Sequence, residues 1–170
     1  MVDYGSHRRV LETAGAVWPV RRVVEFGAGR HSTPLFLDRA VFPVLSSLIT
    51  YESDQAWAAE VRRLAGADER LTVVACSESD AIDATLTMQP ADLAFVDGLD
   101  AKWRVPTAKA AARKARVVVI HDAENPTYHG ALAVKPKCYV YTREVPWTAV
   151  LVDSDDENLL LEFRQRLETP

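Results

Sequence analysis

The stretch Val23-Val24-Glu25-Phe26-Gly27-Ala28-Gly29-Arg30-His31-Ser32-Thr33-Pro34 decides the fold. It opens on an apolar run broken by one acid, and its β-branched pair reads as a buried strand, Arg22–Phe26. Glycine at 27 and 29 permits a sharp turn and a close approach of ligand to backbone. Thr33 and Pro34 predict an N-cap and first helical turn, because the N–H that proline lacks is unsatisfied there anyway. The helix is expected from Pro34 to about Val41.

Strand, glycine loop and helix start form a cradle for an adenosine-bearing cofactor. A dinucleotide fingerprint, G-x-G-x-x-G, requires a third glycine, and Ser32 occupies that position. Glu25 also disfavours a pyrophosphate, whereas a cationic sulfonium cofactor tolerates an acid there. The pattern Glu25-x-Gly27-x-Gly29-x-x-Ser32-Thr33 resembles the cofactor loop of class I S-adenosylmethionine-dependent methyltransferases. That resemblance implies cofactor contacts from Glu25, Gly27, Ala28, Gly29, Ser32 and Thr33.

The 170 residues, 48% of them hydrophobic, suffice for one globular domain with a sizeable core. No apolar run approaches bilayer length, and the polar start Met1 to Arg9 has no signal-peptide segment behind it. A soluble, cytoplasmic protein is expected, with no membrane partner. The net charge of −4 argues against a nucleic-acid surface. Cys76 and Cys138 lie beside apolar residues without zinc spacing, and read as buried free thiols.

Strands and helices alternate along the chain, which predicts a mostly parallel sheet with helices on both faces. A leading helix is read at Ser6 to Ala14. Further strands are read at Ser47 to Tyr51, Leu71 to Cys76, Asp92 to Val96 and Val117 to Ile120. Asp54 caps a helix carrying Trp57, Val61 and Leu64, and Ser77-x-x-Asp80 opens another with a capping-box pattern. A helix is read at Pro106 to Lys114, and Asn125-Pro126 opens a short turn. Cys138 to Thr142 and Thr148 to Val152 are too close for a crossover and predict an antiparallel hairpin, followed by a helix from Asp155 to Leu167. Five βα units and a terminal hairpin match the class I methyltransferases. The resemblance therefore implies a Rossmann-like three-layer α/β sandwich with sheet order 3-2-1-4-5 and the hairpin at the far edge.

In an open α/β sheet, ligands bind beyond the carboxyl ends of the strands, at the switch in strand order. Acids stand there repeatedly: Glu25, Glu52, Glu78, Asp97 and Asp122. Glu52, followed by Ser53, is placed to accept hydrogen bonds from ribose hydroxyls. Ser77 and Glu78 suit either adenine contact or service as cap and first-turn acid.

Asp97 and the Asp97-Gly98 … His121-Asp122 pair resemble the catechol O-methyltransferase-like branch, and the xylan methyltransferases more specifically. The resemblance implies catalytic roles for Asp97, His121 and Asp122, with Asp97 also near the cofactor. Relatives place a histidine where Asp100 stands, so no histidine base is implied at that position. Methyl transfer needs in-line approach and loss of one proton, which Asp97, Asp122 or His121 can accept. Two carboxylates at adjacent strand ends repel, raising one pKa unless a cation sits between them. Asp97, Asp122 and Asn125 are oxygen ligands of the type magnesium prefers. The Asp-Asn pair of catechol O-methyltransferases is Asp122-Ala123 here, so a bound metal is not favoured unless Glu124 or Asn125 substitutes.

The expectation is S-adenosylmethionine-dependent methyl transfer to an oxygen or nitrogen of a small-molecule, carbohydrate or polymer acceptor. Few residues precede the first strand, so the acceptor site is either open or completed by a second subunit in a homodimer. Arg30, Lys102, Arg104, Lys135 and Lys137 are read as loop residues, at the rim or on solvated surface. The alternatives are an NAD-dependent oxidoreductase, a non-catalytic binding module of this fold, and an aminopropyl transferase, whose N-terminal β-domain the sequence lacks.

Overall fold

The computed structural model describes residues 5–98 and 101–169; the Asp100 reading lies outside them. Strands β1 (Arg22–Phe26), β2 (Ser47–Glu52), β3 (Leu71–Ala75), β4 (Ala91–Val96) and β5 (Ala115–His121) run parallel. The antiparallel pair β6 (Lys137–Tyr141) and β7 (Thr148–Val152) completes a seven-stranded sheet of order β3-β2-β1-β4-β5-β7-β6. The central strands are apolar on both faces because helices cover both. Alternate residues divide between the two sides. Val23, Leu93, Val117 and Val119 face a core with Trp18, Phe36 and Phe163, while Val24, Val96, Val118 and Ile120 face Ala108 and Ala111.

Helices α1 (Arg8–Val17), α2 (Ser32–Leu37) and α6 (Glu157–Glu168) lie on the first side. Helix α5 (Ala101–Ala112) covers the second side, packed against α4 (Glu78–Thr87). Helix α3 (Gln55–Ala65) packs on β3 through Ala58 and Val61. Among the described residues, no helix is long and apolar enough to cross a membrane.

Three local readings change. Helix α2 begins at Ser32, ahead of Pro34, and ends at Leu37. Thr33 therefore lies inside it rather than capping it, because its hydroxyl has a stronger acceptor in Glu25. Helix α5 starts at Ala101 and carries Pro106 in its interior, although proline removes an amide there. Arg104 and Thr107 on this helix are both buried. Cys138 is exposed and Cys76 partly buried, since β6 and β3 are the sheet edges. The expected caps Asp54 and Ser77 both form, accepting from Ala56 and Trp57 N–H and from Asp80 N–H respectively.

Register brings the strand ends level: Phe26 pairs with Tyr51 and Val96, and Val96 with Ile120. The loops after β1, β4 and β5 thus converge where the strand order switches.

Candidate active site

The loop after β1 is tied down residue by residue. Gly27 N–H donates to the Tyr51 carbonyl at 2.9 Å, Ala28 N–H to Glu52 Oε2 at 3.0 Å, and Gly29 N–H to Thr33 Oγ1 at 3.2 Å. Trp57 Nε1 donates to the Ala28 carbonyl at 2.7 Å. Gly27 adopts φ +88°, the left-handed region that glycine alone enters without strain. A Cβ on Gly27 meets the backbone of Gly98, and one on Gly98 meets Gly27. The requirement for glycine at 27 is therefore the contact between the β1 and β4 loops, and not only room for a ligand.

Glu25 is fully buried behind this loop. Its Oε1 accepts from Ser32 Oγ at 2.5 Å, and its Oε2 from Thr33 and Thr50 hydroxyls at 2.6 and 2.7 Å. Burial pushes its carboxyl up to about 7, against the three hydroxyls, which favour the ionised form; the charge of Asp97 adds to the rise. Glu25 reaches the loop through Thr33, whose oxygen accepts from Gly29 while its hydrogen goes to Glu25. Ser32, at the place of a third glycine, is buried and spent on the same carboxyl.

Beyond the loop opens a cleft of about 530 Å³, floored by Asp97, His121 and Asp122 and walled by Gly29, Trp57 and His7. Arg30 and His31 stand at its exposed rim, and Arg30 lies 5.2 Å over the Trp57 ring. His121 Nδ1 contacts Asp97 Oδ1 at 2.7 Å and lies 3.6 Å from Asp122 Oδ1. Asp122 has φ +57°, a strained conformation that aspartate tolerates better than most side chains. Arg104 is buried beneath, donating to the Val96 carbonyl at 2.8 Å and to Asp122 Oδ2 at 3.2 Å, with Asp97 Oδ1 at 3.9 Å. Its guanidinium also lies 4.6 Å over the Tyr128 ring.

Burial pushes the Asp97 carboxyl up. The hydrogen bond and charge of His121, with His7 and Arg104, outweigh burial and hold it below the usual aspartate range. The expected rise from Asp97–Asp122 repulsion is thus reversed for Asp97, chiefly by the hydrogen bond and charge of His121, with smaller contributions from His7 and Arg104. Both substitute ligands are engaged locally: Asn125 Oδ1 accepts from Thr127 N–H at 3.0 Å, and Glu124 Oε2 from Trp147 N–H at 2.8 Å. His7, Asp97 and His121 do bring ligand-type atoms within 4.8 Å of one another, but Asp97 and His121 already hold each other by a hydrogen bond.

The structure unites Glu25 with Ser32 and Thr33, Ala28 with Glu52, and Asp97 with His121 and Asp122. Ser53 is exposed, Ser77 and Glu78 open α4, and none of these three lines the cleft. The proposed rim cations disperse. Arg104 is buried on α5, Lys135 is buried against Asp153 at 2.5 Å, and Lys137 on β6 pairs with Glu157 at 2.8 Å. Lys102 lies on α5, exposed, and only Arg30 of the five lines the cleft. Sequence reasoning missed Ser6, His7 and Pro146, for which no local pattern exists, and read Trp57 only as a helix-face residue.

This sheet order, with its glycine loop and acidic strand ends, defines the Rossmann-like α/β fold of class I methyltransferases. No family model matches the chain, and no curated protein matches it. Solved structures do. The chain is similar to human methyltransferase-like protein 13 in complex with SAH, at 15% identity over 99% of this chain and 94% of that one, with a TM-score of 0.67. It is also similar to the O-methyltransferase TomG from Streptomyces achromogenes, involved in tomaymycin synthesis and solved with SAM: 20% identity, 88% and 79% coverage, TM-score 0.65. Spermidine synthase from Thermotoga maritima shares 13% identity over 99% of this chain and 66% of that one, with a TM-score of 0.66. Likeness at these identities is likeness of fold.

Proposed function

We propose that this chain, read as one domain over residues 1–170, transfers a methyl group from S-adenosylmethionine to an oxygen or nitrogen of a small-molecule or carbohydrate acceptor. One observation carries the reading: the clamped glycine loop beside Glu52 and the Asp97–His121–Asp122 cluster meet at the switch point of the sheet. Two neighbouring structures hold SAM or SAH, which supports the same cofactor.

The residues fit that cofactor. Glu52 accepts one backbone N–H on each oxygen, from Ala28 and Asp54, and keeps lone pairs for ribose hydroxyls. Gly29 presents no side chain to the cleft wall, which leaves room for the cofactor's close approach, and Ser53, Ser77 and Glu78 follow β2 and β3 outside the cleft lining. Bound cofactor supplies an electrophilic methyl group. Asp97 and Asp122 orient the attacking atom by accepting its hydrogen bond, and alignment provides most of the acceleration. Asp97 is ionised but weakly basic, so its main work is orientation. Glu25, Ser32 and Thr33 act through the loop they hold. His7 and Pro146 line the cleft beside Asp97 and His121, on the side proposed for the acceptor.

The fixed Ser32–Glu25 bond weighs against a dinucleotide cofactor. Arg104, placed between the carboxylates, makes a metal-free site the better reading. Thermal melts with SAH and with NAD separate the first pair of alternatives. Stabilisation by SAH alone is expected; stabilisation by NAD alone overturns the proposal. Turnover is then followed as SAH release across acceptor classes, with and without chelator, and with the decarboxylated cofactor to detect aminopropyl transfer. Asp97→Asn and Asp122→Asn should lose turnover and keep SAH affinity. If both retain the rate on the true acceptor, the cluster is not catalytic.

A further inference from the structure

The cleft is acidic on its floor, at Asp97 and Asp122, and carries one guanidinium at its rim, that of Arg30. Arg30 follows Gly29 directly, so its side chain departs from the glycine loop itself. Its guanidinium lies 5.2 Å over the Trp57 ring, and the same indole donates to the Ala28 carbonyl of that loop at 2.7 Å. The cation is thus held on the loop side of the cleft. Among the described residues no carboxylate pairs with it. Glu60, whose carboxyl its charge reaches, gives both oxygens to Arg63, each at 2.8 Å. Arg104, the other guanidinium near the floor, is buried and spent on the Val96 carbonyl and Asp122. A guanidinium offers a planar fork of donors that matches a carboxylate, and the fork of Arg30 is open to the cleft.

S-adenosylmethionine and its decarboxylated form differ by one group, the α-carboxylate. Both carry the sulfonium, the amino group and the adenosine. The floor carboxylates and Glu52 suit cations and hydroxyls, and they cannot favour an added anion. Arg30 can. We propose that Arg30 is a specificity-determining residue of the cleft: it pairs with the α-carboxylate and so selects S-adenosylmethionine over the decarboxylated cofactor of aminopropyl transfer. The inference rests on the methyl-transfer reading and narrows it, because the glycine loop and the acids alone would serve either cofactor. Trp57 sets where the cation waits. A guanidinium already resting on a ring loses less freedom when the carboxylate arrives than one free in solvent. One charge beside the loop thereby bears on which group is transferred.

Titration calorimetry on the full chain compares SAH with decarboxylated SAH, which lacks only that carboxylate. Wild type is expected to bind SAH about tenfold more tightly, the contribution of one charge-assisted pair. Added salt should shrink that preference, because Arg30 is exposed and its charge is screened. Arg30→Met removes the charge and keeps an apolar stem beside Trp57. It should weaken SAH about tenfold and leave decarboxylated SAH within about twofold, so that the preference disappears. Equal weakening of both ligands assigns Arg30 to the support of Trp57 and the loop, and overturns the proposal. A preference that survives in Arg30→Met, or one in the wild type that ignores salt, overturns it too. Wild type that binds both ligands alike removes the role of Arg30 and leaves the methyl-transfer reading standing. Wild type that binds neither ligand overturns that reading, and this inference with it.

Discussion

Replacing Glu25 by Gln tests whether the carboxyl behind the glycine loop is neutral in the folded protein. Its pKa rises from an ordinary 4.5 to about 7 on folding. Below the lower value both states are protonated and the full stability is present. Between the two, the unfolded chain has released a proton that the folded one keeps, so unfolding free energy falls by about 1.4 kcal/mol per pH unit. The loss totals about 3 kcal/mol, complete once pH has risen through the folded value. Gln carries no charge at any pH. Its oxygen can replace Oε2 between Thr33 and Thr50, and its nitrogen can donate to Ser32, at a cost that does not vary with pH. Urea denaturation of both proteins from about pH 5 to pH 8 isolates the titration as a difference. Wild type should lose stability relative to Glu25→Gln by about 3 kcal/mol as pH rises. A difference flat across that range means that the three hydroxyls have won against burial and the carboxyl is already ionised. A difference of opposite slope refutes the reasoning outright.

Three further outcomes are expected. Gly27→Ala, strained by positive φ and by contact with Gly98, should destabilise the cofactor-free protein by about 3 kcal/mol in a denaturant melt; unchanged apo stability with lost SAH binding returns the glycine to a purely ligand-facing role. Glu52→Ala should weaken SAH binding by about 1–3 kcal/mol in calorimetry, and unchanged affinity moves the adenosine elsewhere. Arg104→Met strips the Val96 carbonyl and Asp122 of their buried guanidinium partner and should cost about 3 kcal/mol in a denaturant melt, moderated by the partial exposure of Asp122; unchanged stability returns Arg104 to a dispensable role.

The part of the fold and site that was legible in sequence is the part written locally. The apolar Val23-Val24 pair, the glycines after it and the acid at the end of each following strand announce parallel strands and the edge where ligands bind. The antiparallel hairpin was legible from the short interval between Thr142 and Thr148. Long-range partners were not. Ser6 meets His121 and Pro146 across most of the chain, and Gly27 meets Gly98 between loops of different strands. Arg104 looked like a surface cation because its acceptors, the Val96 carbonyl and Asp122, become neighbours only when β4 and β5 pair. Thr33 looked like a cap because the carboxyl that captures its hydroxyl lies on the preceding strand. In each case a local propensity was correct in kind and was overridden by a tertiary partner.

Glu25 and Asp97 show how one sheet end pushes one carboxyl towards neutrality and holds another charged. Both are held on adjacent strands, β1 and β4, and burial raises both. Glu25 meets only hydroxyl dipoles, which recover part of the lost hydration but cannot balance a full charge. Asp97 meets the hydrogen bond and charge of His121, with His7 and Arg104 behind it, and these together outweigh the cost of its burial. The ionised Asp97 in turn pushes Glu25 further towards the neutral form. Environments that drive two neighbouring carboxyls apart commonly separate structural from chemical duty. Here the one pushed towards neutrality braces the loop from behind, and the charged one faces the cleft, where a fixed negative charge can align an acceptor without taking up its proton.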